Sequence, residues 1–188
     1  MRLLPVLLTA AVVAGAPGLA AWPQPVNPHA LALKGFRDRV DQYVRLRNRV
    51  RAGMPKLAET SDPAEITNRE RALGEAVRAA RAGASRGEIF SPDVVPFFRE
   101  TIGANFRQRP PKERQAALAS VPDEPLKVND AYPATVPLAT VPPTLLAQLP
   151  PLPETVEYRL VGDRLILRDI DANLVVDFVP NAVPKPGA

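Results

Sequence analysis

Cysteine is absent from this 188-residue chain, and histidine occurs only once, at position 29. Without cysteine the chain can form neither a disulfide nor a cysteine-linked lipid anchor, so packing must hold its fold together. His29 lies upstream of every candidate nucleophile, next to Pro28 in a stretch without periodicity, where we do not expect a general base. A nucleophile–histidine catalytic set is therefore not predicted.

The first twenty residues have the layout of a secretory signal peptide. Arg2 precedes an uncharged apolar run over residues 3–14, and Gly18-Leu19-Ala20 places small residues where a signal peptidase needs them. The alternative is an uncleaved membrane anchor, which Pro17 and Gly18 disfavour because they break the helix short of a full span. We expect cleavage after Ala20 and export to the periplasm or the extracellular space. Loss of Arg2 then lowers the formal charge from +4 to +3.

A basic amphipathic helix is predicted near the start of the mature chain. From Leu33 onward, apolar residues recur at alternating three- and four-residue steps, with Arg47 as the one charged interruption. Gly53 and Pro55 end the pattern. The predicted buried positions are Leu33, Phe36, Val40, Tyr43, Val50, Met54 and Leu57.

Three further helices are predicted before residue 120. Asp62-Pro63-Ala64-Glu65 combines an N-cap aspartate, a first-turn proline and a glutamate three residues on, which together start a helix. Ser91-Pro92-Asp93 starts a third helix, and a shorter one follows over residues 111–120. The apolar positions are Ile66, Leu73, Val77 and Ala80 in the second helix and Val94, Phe97, Phe98, Ile102 and Phe106 in the third, which we expect to anchor the core. The pattern predicts a bundle of three or four helices.

Proline dominates the segment that follows. Residues 121–153 contain nine prolines, which exclude a long helix and disfavour a central strand, so an extended wrapping segment is predicted. Within it, Leu145, Leu146 and Leu149 follow two prolines and can form one helical turn that fills an apolar groove.

From residue 154 the hydrophobic period changes to two. Turns at Gly162-Asp163 and Asp171-Ala172-Asn173 separate three strands, which predicts an antiparallel meander. Such a sheet is marginally stable alone, so we expect it to pack on the helices or on the leucines. Its predicted apolar face consists of Tyr158, Leu160, Leu165, Leu167, Leu174, Val176 and Phe178.

The predicted fold class is α+β. The predicted division of the chain is signal peptide (1–20), flexible lead-in (21–32), helical domain (33–120), proline-rich segment (121–153), β meander (154–180) and tail (181–188).

The meander and the residues before it resemble a hairpin module of small exported bacterial proteins. The resemblance rests on Leu149-Pro150-Pro151-Leu152-Pro153, Tyr158-Arg159, Gly162-Asp163, Leu165-Ile166-Leu167, Asp169 and Val175-Val176-Asp177. These proteins include the periplasmic RcnB-like family of nickel and cobalt homeostasis, and the whole chain is more similar to exported groups without an assigned function. The histidine-bearing metal segments expected of a nickel-handling protein are missing, so the resemblance implies no metal site.

One turn has a partial calcium-binding pattern. Asp169, Asp171 and Asn173 place oxygen ligands at the spacing that opens a calcium loop. The continuation fails, because Leu174 occupies the glycine position and Pro180 the position of the bidentate glutamate. Asp and Asn are also ordinary residues of a tight turn, which is our prediction, with calcium as the alternative. No cofactor is predicted.

No pair of carboxylates is singled out for acid–base catalysis. Strand alternation predicts Asp177 on the face opposite the main apolar face, solvated or paired with arginine. Gly83-Ala84-Ser85-Arg86-Gly87 matches the G-x-S-x-G nucleophile pattern, but a helix precedes it where a strand is required, so we predict an ordinary loop. The remaining acidic candidates for a carboxylate-dependent hydrolase are Glu154, Glu157, Asp163, Asp169 and Asp171.

Charge is distributed unevenly along the chain. Residues 36–53 hold six arginines against two aspartates, and residues 154–177 hold six acids against three arginines. One interpretation is that the acidic sheet docks on the basic helix. The other is a basic surface of Arg37, Arg45, Arg49 and Arg51 that binds anionic lipid or polysaccharide.

These observations predict an exported, periplasmic, non-enzymatic protein that acts through its surfaces. Its partner is expected to be another protein or an envelope component rather than nucleic acid, with at most peripheral membrane contact. An anionic-envelope binder and a carboxylate-dependent hydrolase are the two alternatives.

Overall fold

The computed structural model describes residues 29–55, 60–119, 125–133 and 141–184. The predicted signal peptide, most of the lead-in, Leu57, parts of the proline-rich segment and the end of the tail lie outside the described residues. No helix within the described ranges combines the length and the apolar character needed to span a bilayer.

The two longest helices form where the apolar periodicity predicts them. The first, α1 (Ala30–Ala52), begins at Ala30 rather than Leu33, and the second, α2 (Pro63–Ala80), begins as predicted. The Asp62 carboxylate caps α2 by accepting a hydrogen bond from the Ala64 N–H at 2.8 Å. In α2 the structure buries Leu73 and Val77 but leaves Ile66 and Ala80 exposed, so the predicted apolar side is shorter than expected.

The third helix, α3 (Val95–Arg107), carries the aromatic centre of the core. The Phe98 ring meets Phe36 of α1 and Phe90 of the preceding loop edge to face, with centroid distances of 5.1 and 4.9 Å. All three rings are buried, which confirms the anchoring role predicted for this helix. The helix α4 (Pro111–Ala119) follows.

A single helical turn, α5 (Pro143–Leu146), lies in the proline-rich segment at the predicted position. Leu145 and Leu149 are buried in the main core. Leu146 is 50% exposed, so the predicted plug contains two leucines rather than three.

The chain ends in one antiparallel sheet, whose strands are β1 (Val156–Val161), β2 (Arg164–Asp169) and β3 (Leu174–Val179), in the order β1-β2-β3. Helices followed by this sheet make the α+β class that the sequence predicted.

A β-bulge in β3 corrects the predicted strand faces. Leu167 pairs with Asp177 while the next residue, Arg168, pairs with Val175, so one residue of β3 is extra. A bulge shifts the in–out alternation of the residues beyond it. Asp177 is therefore completely buried on the side of the helices, and Phe178 packs on the opposite face. The predicted positions of both residues are wrong for this reason.

Apolar residues occur on both faces of the sheet. One face joins the helices and α5 in the main core. On the other face, Leu126 and Tyr132 cover a smaller cluster of Val161, Ile166 and Val175. The prediction of a single apolar face missed this second layer, because the covering residues lie in a proline-rich stretch without periodicity.

Candidate functional site

A charged cluster lies in the core between α1 and the turn that joins β2 to β3. Arg47 is 1% exposed and donates its Nε–H to Oδ2 of the fully buried Asp169 at 3.1 Å. Its Nη2 binds Asp171, whose side chain is half-exposed. The other oxygen of Asp169 accepts the Ala172 N–H at 2.9 Å. Because both buried charges are paired and hydrogen-bonded, the cluster is compatible with a stable core.

Tyr43 extends this cluster along α1. Its hydroxyl donates to Oδ2 of Asp169 at 2.6 Å, and the guanidinium of Arg81 lies 5.1 Å from its ring centroid. Burial and the neighbouring Asp169 charge raise the pKa of Tyr43 above its ordinary value. The hydroxyl therefore stays protonated and serves as a donor to the carboxylate.

The three residues of the alternative calcium loop all bind protein donors. Asp169 and Asp171 pair with Arg47, and Asp171 also meets Arg51 at 3.2 Å. The side-chain oxygen of Asn173 accepts hydrogen bonds from Arg168 at 2.7 and 3.1 Å. Among the described residues, no group of three or more His, Cys, Asp or Glu side chains is arranged to hold a metal ion. Asn173 has a φ of 47°, a turn conformation that Asn tolerates well.

A second buried carboxylate, Asp177, organises the loop between α2 and α3. It accepts hydrogen bonds from the backbone N–H groups of Gly87, Ile89 and Phe90 at distances between 2.8 and 3.2 Å. Gly87 has a φ of 93°, which favours glycine, so it closes this loop as the sequence analysis expected of a loop glycine. The carboxylate is saturated with donors and has no solvent exposure.

Glu157 lies on the second face of the sheet between two arginines. Its carboxylate binds Arg168 on the neighbouring strand at 2.7 Å and Arg159 two residues along β1. Burial by itself raises the pKa of Glu157, but the hydrogen bonds from Arg159 and Arg168 outweigh burial and lower it. A general acid needs the opposite shift, so Glu157 is poorly suited to the general-acid role of a hydrolase.

The lowered pKa of Glu157 predicts how its stabilising effect depends on pH. The effect should be complete above the ordinary glutamate pKa of about 4.3 and disappear as the pH falls through the lower pKa of the folded state. We expect the difference in unfolding free energy between the natural chain and Glu157→Gln to be largest near neutral pH and to shrink below about pH 4. Urea denaturation of both chains across this range, at one dilute protein concentration, measures it. A difference that grows toward acid would contradict the assignment.

The outer edge of β1 has backbone hydrogen-bonding groups without a partner among the described residues. The Ile170 N–H donates to the Thr155 carbonyl at 3.0 Å, so in this antiparallel register the backbone groups of Glu157 and Arg159 point at β2. Those of Tyr158 and Leu160 then point away from the sheet, and no backbone group of the described residues pairs with them. The opposite edge differs, because the Asn129 N–H donates to the Val175 carbonyl of β3 and the Tyr132 N–H donates to the Asn173 carbonyl just before β3.

An apolar groove of about 560 Å³ runs beside this open edge. One wall is β1 from Val156 to Arg159, and the other is the segment of residues 149–153 with the half-exposed Leu146. Tyr158 ties the two walls together by donating its hydroxyl to the Pro150 carbonyl at 3.0 Å. A larger groove of about 850 Å³ lies between the end of α1, α2 and the β2–β3 turn.

The four arginines of the predicted anionic surface are not equivalent. Arg37, Arg45, Arg49 and Arg51 are all exposed on α1. Arg51 forms a salt bridge with Asp171. The Nε–H of Arg37 donates a hydrogen bond to the Leu33 carbonyl of the same helix. The salt bridges from α1 to Asp169 and Asp171 confirm the interpretation that the acidic sheet docks on the basic helix.

The sequence predicted neither the buried ion pair of Arg47 nor the buried position of Asp177. A charged residue in the apolar stripe of α1 was the available signal, because a buried arginine requires a buried acid. Nothing comparable indicated Asp177, whose position depends on the bulge. No protein-family model, curated protein or solved structure matches this chain.

Proposed function

We propose that this protein is an exported, non-enzymatic interaction module, and that it binds a partner polypeptide along the open edge of β1 and the groove beside it. The observation that carries the proposal is the outward-pointing backbone of Tyr158 and Leu160 next to an apolar groove. An open edge with adjacent apolar pockets is a common mode of recognition for extended polypeptides.

The state of the acidic residues supports a role without catalysis. Asp169 and Asp177 are buried and fully hydrogen-bonded, and Asp171 pairs with two arginines. Glu157 has a lowered pKa. Asp169, Asp171 and Asp177 are thus engaged in holding the sheet to the helical part, and Glu157 is engaged in pairing β1 with β2.

The sequence supports the location. The signal-peptide layout of residues 1–20 and the resemblance to exported bacterial proteins both indicate a protein outside the cytoplasm. A chain without cysteine can fold there without depending on the redox state of the compartment.

A photo-cross-linking amino acid in place of Leu146 tests the proposed binding surface. Leu146 is half-exposed at the groove, so the probe reaches a bound polypeptide without entering the core. In cells that express and export the chain, we expect cross-linked adducts to form at this position. Gel mobility and mass spectrometry of the adducts identify the second polypeptide.

The matched control places the same probe at Leu31, which is 81% exposed on α1 and does not line the groove. Adducts at position 146 and not at position 31 support the proposal. Equal labelling at both positions, or none at position 146, would count against it.

A further inference from the structure

The side chains of β1 have a self-complementary charge pattern. Glu157 and Arg159 share one face of the strand, on either side of Tyr158. If a second β1 strand pairs antiparallel with the open edge and is centred on Tyr158, each Glu157 lies opposite Arg159 of the second copy. Val156 then faces Leu160 of the second copy, and the two Tyr158 residues face each other.

The charges also select this register over its neighbours. In the register centred on Glu157, the two Glu157 residues lie opposite each other. In the register centred on Arg159, the two Arg159 residues lie opposite each other. Like charges directly opposite each other in a sheet are destabilising, whereas opposite charges are stabilising. Charged residues usually discourage pairing at an edge strand. Here they permit pairing in one arrangement.

The hydrogen-bonding groups match the same arrangement. The N–H and carbonyl of Tyr158 point outward and can bond those of Tyr158 in the second copy. The Leu160 N–H can reach the Val156 carbonyl, while the Val156 N–H keeps its 3.1 Å bond to Pro153.

We propose that the partner at the β1 edge is a second copy of this chain, which pairs antiparallel through Tyr158 to form a six-stranded sheet across a two-fold axis. The inference rests on the proposed function and names its partner. A closed two-fold pair leaves no free β1 edge for further growth. The paired segment is short, so we expect association on the order of micromolar affinity.

Sedimentation equilibrium and amide hydrogen exchange of the purified mature chain test the inference. The mass should approach that of a dimer as concentration rises, and exchange of the Tyr158 and Leu160 amides should slow in parallel. A chain that stays monomeric, or protection that is independent of concentration because the same chain covers the edge, would overturn it.

A charge exchange separates this pairing from other dimers. Arg159→Glu places glutamates opposite each other and should weaken self-association at least about tenfold. Arg45→Glu makes the same change in net charge on α1, away from β1, and should leave it unaltered. Mixing the Arg159→Glu chain with the Glu157→Arg chain should produce a heterodimer. In that pair a glutamate of one chain lies opposite an arginine of the other at both charged positions.

Circular dichroism verifies that each variant is folded. If Glu157→Arg does not fold, two results still test the proposed pairing. These are the amide hydrogen exchange of the natural chain and the comparison of Arg159→Glu with Arg45→Glu. A dimer unaffected by Arg159→Glu would refute the proposed register. Adducts at position 146 with a different polypeptide, from a monomeric chain, would reject the second copy and keep the proposed function. A monomeric chain without groove adducts would reject both.

Discussion

Asp169→Asn should lower the free energy of unfolding by about 3–5 kcal/mol, the loss typical when one partner of a buried ion pair is removed. Arg47 would remain 1% exposed without its buried counterion, and the Tyr43 hydroxyl would face a neutral amide. Urea denaturation followed by circular dichroism at neutral pH measures the change. The affected contacts join α1 to the β2–β3 turn, so the whole fold should lose stability.

Asp171→Asn is the matched control for this prediction. Asp171 also binds Arg47, but its side chain is 46% exposed, so solvent screens the charge and the loss should stay within about 1 kcal/mol. The triple change Tyr43→Phe, Arg47→Met and Asp169→Leu removes the whole buried set and should recover most of the loss, because apolar replacements of buried ion pairs are often tolerated. Equal losses for Asp169→Asn and Asp171→Asn would contradict the role of burial.

Asp177→Ala should destabilise the fold by about 3–4 kcal/mol, because the backbone N–H groups of Gly87, Ile89, Phe90 and Phe178 lose this acceptor at once. Those of Ile89 and Phe90 both bond the carboxylate at 2.8 Å, in a part of the core that water does not reach. The same denaturation experiment measures the loss, and amide exchange at these two residues should accelerate more than in α1.

Two variants make this test specific. Asp177→Asn keeps one acceptor oxygen and should lose less than Asp177→Ala. Asp130→Asn changes an exposed aspartate beside β3 and should stay within about 0.5 kcal/mol of the natural chain. A loss from Asp177→Ala no larger than that from Asp130→Asn would show that the N–H groups find other partners.

The helices and strands could be predicted because their signals are local. The Asp62 cap, the aromatic stripe of α3 and the period of two after residue 154 each depend on a few neighbouring residues. The wrong predictions of burial occur where tertiary packing overrides a local sequence pattern. Ile66 continues the apolar stripe of α2 but is 49% exposed, and Leu146 belongs to the same helical turn as the buried Leu145 but is 50% exposed.

The candidate site was harder to foresee for the same reason. The arginine and acid counts indicated that α1 and the sheet attract each other, and the ion pairs of Arg47 confirm it. Which acid meets which arginine depends on how α1 lies across the β2–β3 turn. Strand order makes β1 and β3 the two edge strands but does not say which edge is covered. Residues 129–131 pair with β3, whereas no described residue pairs with the outer edge of β1.

The sequence by itself determined the fold class, the order and approximate positions of α1, α2, α3 and the three strands, and the absence of any disulfide. These follow from hydrophobic period, capping residues and composition, all of which act over a few residues. Only the tertiary structure decided that Asp177 is buried, that Arg47 and Asp169 neutralise each other in the core, and that no described residue pairs with the outer edge of β1. Each of these depends on a one-residue bulge or on packing between segments far apart in the chain, and no local pattern encodes either.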